Sequence, residues 1–152
     1  MKIKRILCLV LLGLAAAASL RADSAPDLSV VITANDALRF SVKRIEAQRG
    51  QIIHLQFRNV GSMPKAVMGH NWILLRAGSN AAGYAAAAIG AKSDDYQPKS
   101  LAGEVLASTP LIGPRQSADV TFAAPSEAGS YPFLCTFPGH FQAGMQGVLI
   151  VH

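Results

Sequence analysis

Along most of the chain, apolar and polar residues alternate one for one, and the alternation stops at turn-forming residues. Leu28, Val30 and Ile32 form one such set, and Phe40 and Val42 a second, ahead of a turn at Arg49-Gly50. Ile53, Leu55 and Phe57 form a third, with polar His54, Gln56 and Arg58 on the opposite face. A period of two carried by β-branched and aromatic side chains predicts strands. Gly61-Ser62-Met63-Pro64 breaks the run, and Trp72-Ile73-Leu74-Leu75 follows as a short, fully apolar strand. Strands are predicted again near 104–107, 118–122, 131–135 and 146–151. Gly113-Pro114, Pro125 and Ala128-Gly129 separate them. Residues 80–91 differ: they are rich in alanine, the strongest helix former, and Gly83 and Gly90 limit them to one short helix with loose ends. Residues 94–103, with Gln97-Pro98, read as a polar loop. Many short strands at this spacing, with one short helical insertion, predict an all-β fold of the β-sandwich kind.

The first 22 residues follow another pattern. Residues 1–5 are short and positive, residues 6–20 are an uninterrupted run of apolar and small residues, and Leu20-Arg21-Ala22 precedes Asp23. This is the pattern of a secretory signal peptide. The apolar run is shorter than the roughly 18 residues a spanning helix needs, so a cleaved leader over 1–22 is expected, without stable membrane insertion. Residues 23–152 then form one domain, with no internal repeat or interdomain linker.

Export changes the charge picture. The full chain of 152 residues has a formal net charge of +5, but Lys2, Lys4, Arg5 and Arg21 fall in the leader. Ten basic and nine acidic side chains remain, without the basic density that nucleic-acid binding requires. Near neutrality also predicts weak ionic-strength dependence of docking to any partner. Of the two cysteines, Cys8 lies in the leader, which excludes a disulfide scaffold and leaves Cys135 without a partner in the chain. In an oxidising compartment such a thiol is buried, paired with another molecule, or held by a metal.

The most informative segment runs from Tyr131 to Met145 and places Cys135, His140 and Met145 around a tight Pro138-Gly139 loop. A second histidine stands far upstream in Met68-Gly69-His70-Asn71-Trp72. Two imidazoles, a thiolate and a thioether are the donor set of a blue copper site. Zinc is chemically open to the same donors, but a thioether suits it poorly and structural zinc takes four strong ligands. Cysteine–histidine nucleophilic catalysis needs an exposed thiolate and an orienting group, and the loop offers no Asn or Asp in a fitting place.

The motif Cys-Thr-Phe-Pro-Gly-His at 135–140 resembles the copper loop of the azurins, as does Met68-Gly69-His70-Asn71-Trp72. The resemblance extends to Asp95-Tyr96, Leu111-Ile112-Gly113 and Val120-Thr121-Phe122, and so covers most of 28–152. It implies the cupredoxin fold, a Greek-key β-sandwich. It also implies one copper ion per chain, held strongly by His70, Cys135 and His140 and weakly by Met145. Four residues, Phe141 to Gly144, separate His140 from Met145, where azurins have three. That spacing is similar to auracyanins and rusticyanins, and it leaves open a weak contact from the Gly69 carbonyl. The N-terminal disulfide of azurins has no counterpart. By the same resemblance, backbone N–H groups of Asn71 and Phe137 would point at the Cys135 sulfur, raising the potential, and the Asn71 side chain would tie the His70 strand to the copper loop.

The resemblance implies a periplasmic carrier of single electrons, not an enzyme, with no small-molecule substrate. Its partners would be redox proteins such as a c-type cytochrome or a periplasmic reductase or dehydrogenase. They would dock on an apolar patch of Met63, Pro64, Met68, Phe137 and Pro138 around an exposed edge of His140. Copper delivery or storage on the same fold is the alternative, although a central thiolate argues for a closed, redox-tuned site. A detached multicopper-enzyme domain would need further histidine clusters, and only His54 and His152 remain, both expected to be solvated. Trp72 is expected in the core.

Overall fold

A computed structural model describes residues 27–152. The leader expected over 1–22 and Cys8 lie outside the described residues. Nine strands form: β1 (Leu28–Asn35), β2 (Arg39–Phe40), β3 (Arg44–Ala47), β4 (Ile52–Asn59), β5 (Ile73–Leu75), β6 (Val105–Ser108), β7 (Ser117–Ala123), β8 (Gly129–Leu134) and β9 (Gln146–Val151). Two α-helical segments, α1 (Lys65–Met68) and α2 (Ala81–Ala88), flank β5. One sheet has the order β2-β1-β4-β7 and the other β3-β9-β8-β5-β6. The chain crosses repeatedly between the sheets, so β1 lies parallel to β4 and β3 parallel to β9. The result is an all-β Greek-key sandwich with a short helical insertion.

The alternation decides which face of each strand is buried. In β4, Ile53, Leu55 and Phe57 are at most 1% exposed while His54 and Arg58 face solvent. Ile32, Phe57, Trp72, Leu74, Phe133 and Leu149 meet between the sheets in one apolar cluster. β5 is apolar at every position because both its faces are covered. Leu74 points into that cluster, whereas Ile73 and Leu75 pack with Tyr84 and Ala85 of α2 and with Leu134. The helix starts where Asn80 caps it, its side-chain oxygen accepting from the Gly83 N–H at 2.9 Å.

Three features depart from the sequence reading. β3 is a strand, with Ile45 and Ala47 buried and Arg44 and Glu46 outside. Two inward residues, one of them alanine, give too weak an alternation to detect. Residues 65–68 make one helical turn with no buried side chain, too short to carry a helical period. The stretch read as a polar loop contains two 3₁₀ turns, Lys92–Asp94 and Lys99–Glu104. In addition, β2 ends at Phe40, so Val42 falls in the crossing between sheets.

Candidate metal centre

One pole of the sandwich gathers the predicted donors. His70 follows α1 and Gly69, and a two-way bridge to Ile112 holds its backbone, with N···O distances of 3.1 and 2.8 Å. Cys135 is the first residue past β8, and Met145 the last before β9. The Cys135 N–H donates to the Met145 carbonyl at 3.1 Å, so the β8–β9 ladder continues one step into the loop. Within the loop, His140 N–H donates to Phe137 O and Met145 N–H to His140 O, both at 3.0 Å. Gly144 has φ +90°, a conformation that side chains disfavour, and this residue turns the chain back toward Met145.

The structure brings His70, Cys135 and His140 together with their donor atoms within 4.8 Å of one another. Cys135 Sγ lies 3.4 Å from Nδ1 of His140 and 4.0 Å from Nδ1 of His70. The two imidazoles are 4.9 Å apart between centroids. Cys135 and His70 are fully buried and His140 is 3% exposed. The His140 edge is thus narrower than expected, and Phe137 covers it at 4.6 Å between ring centroids. Met145 is fully buried in the apolar cluster that also holds Cys135. Gly69 is buried in an extended conformation directly before His70.

Burial sets the protonation states. It lowers the His70 imidazole to about 4, opposed in part by the charge of Asp36 and the carbonyl of Asn35. It lowers His140 to about 4 as well, with His70 adding to the effect. It pushes the Cys135 thiol up to about 12, against the stabilising backbone N–H groups of Asn71 and Phe137. Both rings therefore offer lone pairs at neutral pH, while the thiol keeps its proton until a cation displaces it. Two neutral imidazoles and a sulfur supplied with N–H donors, all shielded from water, fit a soft, thiolate-binding metal such as copper.

A measurable proton balance results. Copper uptake at pH 7 is expected to release about one proton per ion, from Cys135 alone. Calorimetric titration in two buffers of different ionisation enthalpy reads this number. Two or more released protons would mean charged imidazoles, and none would mean a preformed thiolate. Between pH 6.5 and 4 the unfolded chain takes up protons that the buried rings refuse. Stability of the metal-free fold is therefore lost as pH falls through that window. The slope is at most about 1.4 kcal/mol per pH unit for each ring, and less where solvent reaches His140.

Around the donors, Asn71 is fully buried and joins three segments. Its Nδ2 donates to Thr136 Oγ1 at 2.7 Å and to the Asp95 carbonyl at 2.9 Å, and its Oδ1 accepts from the Thr136 N–H at 2.8 Å. Thr136 and Asp95 were present in the sequence motifs, but nothing in the spacing marked them as partners. Of the apolar rim, Met63 is 38% exposed and Met68, Phe137 and Pro138 are half-buried. Val67, 56% exposed, lies beside Met68 on α1 and was not anticipated. Away from this pole, His54 and His152 are half-exposed but partnered. His54 lies 3.1 Å from Thr121 and 3.3 Å from Asp27, and His152 lies 3.5 Å from Glu46. Trp72 is fully buried, as expected.

The family model for copper-binding proteins of the plastocyanin/azurin family matches residues 26–152. Auracyanin-A of Chloroflexus aurantiacus is 35% identical over 119 residues, which cover 77% of this chain and 69% of the relative. Azurin of Pseudomonas denitrificans is 36% identical over 126 residues, covering 81% and 97%. Among solved structures, dithionite-reduced auracyanin from Roseiflexus castenholzii superposes with a TM-score of 0.74 at 31% identity. That match covers 84% of this chain and 99% of the other.

Proposed function

This chain belongs to the plastocyanin/azurin family of copper-binding proteins and is a blue copper electron-transfer cupredoxin, and from that premise we propose how it works and where. His70, Cys135 and His140 would hold one copper ion as strong ligands and Met145 as a weak one, with a contact from the Gly69 carbonyl left open. Copper so held supplies a one-electron Cu(II)/Cu(I) couple. The observation that carries this reading is the convergence of one sulfur and two Nδ1 atoms in a buried cluster.

The protein's own part is to fix these donors before metal arrives. The bridge to Ile112 and the Asn71–Thr136 pairing hold the two loops in register. N–H groups of Asn71 and Phe137 withdraw charge from the sulfur, and burial keeps water away. Electrons enter and leave at the His140 edge, where the rim of Met63, Pro64, Met68, Phe137 and Pro138 receives the partner. The partners are redox proteins such as a c-type cytochrome or a periplasmic reductase or dehydrogenase. No substrate is transformed. The leader over 1–22 sends the domain 23–152 to the periplasm.

Loading the purified protein with Cu(II) and recording its visible spectrum tests the reading. The expected result is an intense blue thiolate-to-copper band that bleaches with mild reductant and returns on oxidation. A weak band with easily chelated copper would favour delivery or storage instead.

A further inference from the structure

Charge is unevenly distributed along the sandwich. β1 and β4 run side by side toward the metal centre, and β7 starts there, opposite the end of β4. Arg39 at the start of β2, Arg58 near the end of β4 and Arg115 just before β7 therefore stand at the copper pole, with Lys65 on α1. The bond from Asn71 to the Asp95 carbonyl brings in the neighbouring segment with Lys92 and Lys99. All six cations are exposed. The acids at this pole are already engaged. Asp36 accepts from the Ser62 N–H at 2.8 Å and the Ser62 hydroxyl at 2.9 Å, Asp94 pairs with Lys99 at 2.6 Å, and Asp95 lies 3.8 Å from Lys65. Among the described residues, Arg39, Arg58, Lys92 and Arg115 form no ion pair. The far pole is the reverse, with Asp27, Glu46, Glu104 and Glu127 against Arg49 and Arg76. Lys43, Arg44 and Asp119 lie along the sides, and Arg44 reaches Glu46 at 2.7 Å.

The copper loop itself contains no lysine, arginine, aspartate or glutamate from Cys135 to Met145. Beside it lies a recess of about 320 Å³. Ala66, Tyr96, Leu111 and Phe137 give it an apolar lining, and Lys65, Lys92 and Asp95 supply its charge. Asp95 is committed to Lys65 and to the Leu111 N–H at 3.2 Å, which leaves Lys92 without a counter-charge. The Phe137 ring lies 5.2 Å from Tyr96 and 4.6 Å from His140 between centroids, so a group seated in the recess is one ring away from the His140 imidazole. An apolar recess edged by an unpaired cation fits a carboxylate carried on an apolar surface.

We propose that the copper pole docks an acidic redox protein, one whose exposed redox edge is ringed by aspartate and glutamate, with a carboxylate of that ring held at Lys92 over the Phe137 recess. The proposal rests on electrons passing at this pole, and it adds the chemistry of the partner. The positive end draws the partner in and the negative end turns away from it, which orients the encounter. Net charge governs separations beyond the Debye length, about 8 Å at physiological salt, whereas at contact the pole alone counts. Docking therefore depends on ionic strength although the chain is nearly neutral, in contrast to the weak dependence that composition alone predicts. No bond forms or breaks: one electron passes from the reduced partner to the oxidised centre, or back.

Two variants make the same charge change at opposite ends, K92E at the recess and R49E at the far pole. The probes are an acidic and a basic c-type cytochrome with one haem each. Bleaching of the blue band by the reduced acidic cytochrome, followed by stopped flow, is expected to slow about tenfold from low salt to about 0.5 M. At low salt K92E is expected to slow it about fivefold and R49E less than twofold. With the basic cytochrome the rate rises with salt instead. Equal rates in the parent and K92E, equal losses in K92E and R49E, or the same salt dependence for both cytochromes would overturn the proposal. In the metal-free protein, nitrogen-15 NMR locates the docked, reduced acidic cytochrome. Shifts are expected at Lys65, Lys92, Tyr96 and Phe137, and shifts confined to other faces, or none, would overturn the proposal as well. Absence of a blue band in the parent would instead sink the copper reading, and the NMR measurement needs no metal.

Discussion

Replacing Cys135 with serine is expected to remove the intense visible band altogether while leaving the fold in place. The two side chains are close in size, and the site is ready for an oxygen. Asn71 and Phe137 already direct backbone N–H groups at the position of the sulfur, so a serine hydroxyl would be buried with donors at hand. The spectroscopic consequence is far larger than the structural one. The colour of a blue site comes from charge transfer out of a thiolate, and an alkoxide is a harder, more basic donor that does not form at neutral pH. Copper affinity should fall by more than the roughly 10–100-fold that loss of an outer-shell partner costs. Visible absorption after Cu(II) loading, with circular dichroism as the check on folding, reads both effects. A persistent blue band in a folded Cys135→Ser protein would remove Cys135 from the ligand set.

The contrast between Cys135 and Asp36 shows what the sequence made legible. Cys135, His140 and Met145 stand within one short segment around Pro138-Gly139, so local spacing was enough to associate them. His70 could be joined to them only by its motif and by chemical type, because the contact is made by strands from different parts of the chain. Asp36 carries no such mark. Its bond to Ser62 depends on the β1–β2 turn meeting the loop after β4, and the parallel β1–β4 pairing creates that meeting. The strands divide in the same way. The alternation in β4 is long and its inward residues are large, so burial could be read residue by residue. In β3, parallel pairing with β9 stabilises a segment whose own pattern is too short to be distinctive. The apolar run of β5 was recognised as a strand, but its reason, a helix packed on its outer face, is tertiary.

Asn71→Leu is expected to cost about 3–5 kcal/mol, an effect on stability rather than on colour. The substitution keeps the branched heavy-atom skeleton and leaves no cavity, but its methyl groups are bulkier than the amide, so some overpacking adds to the cost in a fully buried site. The larger loss is polar pairing. The Thr136 N–H, the Thr136 hydroxyl and the Asp95 carbonyl all lose their Asn71 partner, at about 1–3 kcal/mol for each buried group left unsatisfied. Strain adds to this loss. Asp95 and Tyr96 adopt positive φ angles of 53° and 58°, unusual for non-glycine residues, and the Asn71 amide is one of the contacts that hold this turn. Leu111 N–H, donating to Asp95 Oδ2 at 3.2 Å, is another and would remain. For a domain of this size the midpoint of thermal unfolding should drop by roughly 10–20 °C. Thr136→Val, which keeps the backbone N–H bond to Asn71 and removes only the hydroxyl, should cost about 1–2 kcal/mol. Thermal denaturation of the metal-free variants measures both. The metal-free form is the stringent one, because bound copper would itself hold the loops together and mask the deficit. A loss below about 1 kcal/mol in Asn71→Leu would mean that the loops keep their register without this bridge, and that the donors around Cys135 are positioned by the β8–β9 ladder alone.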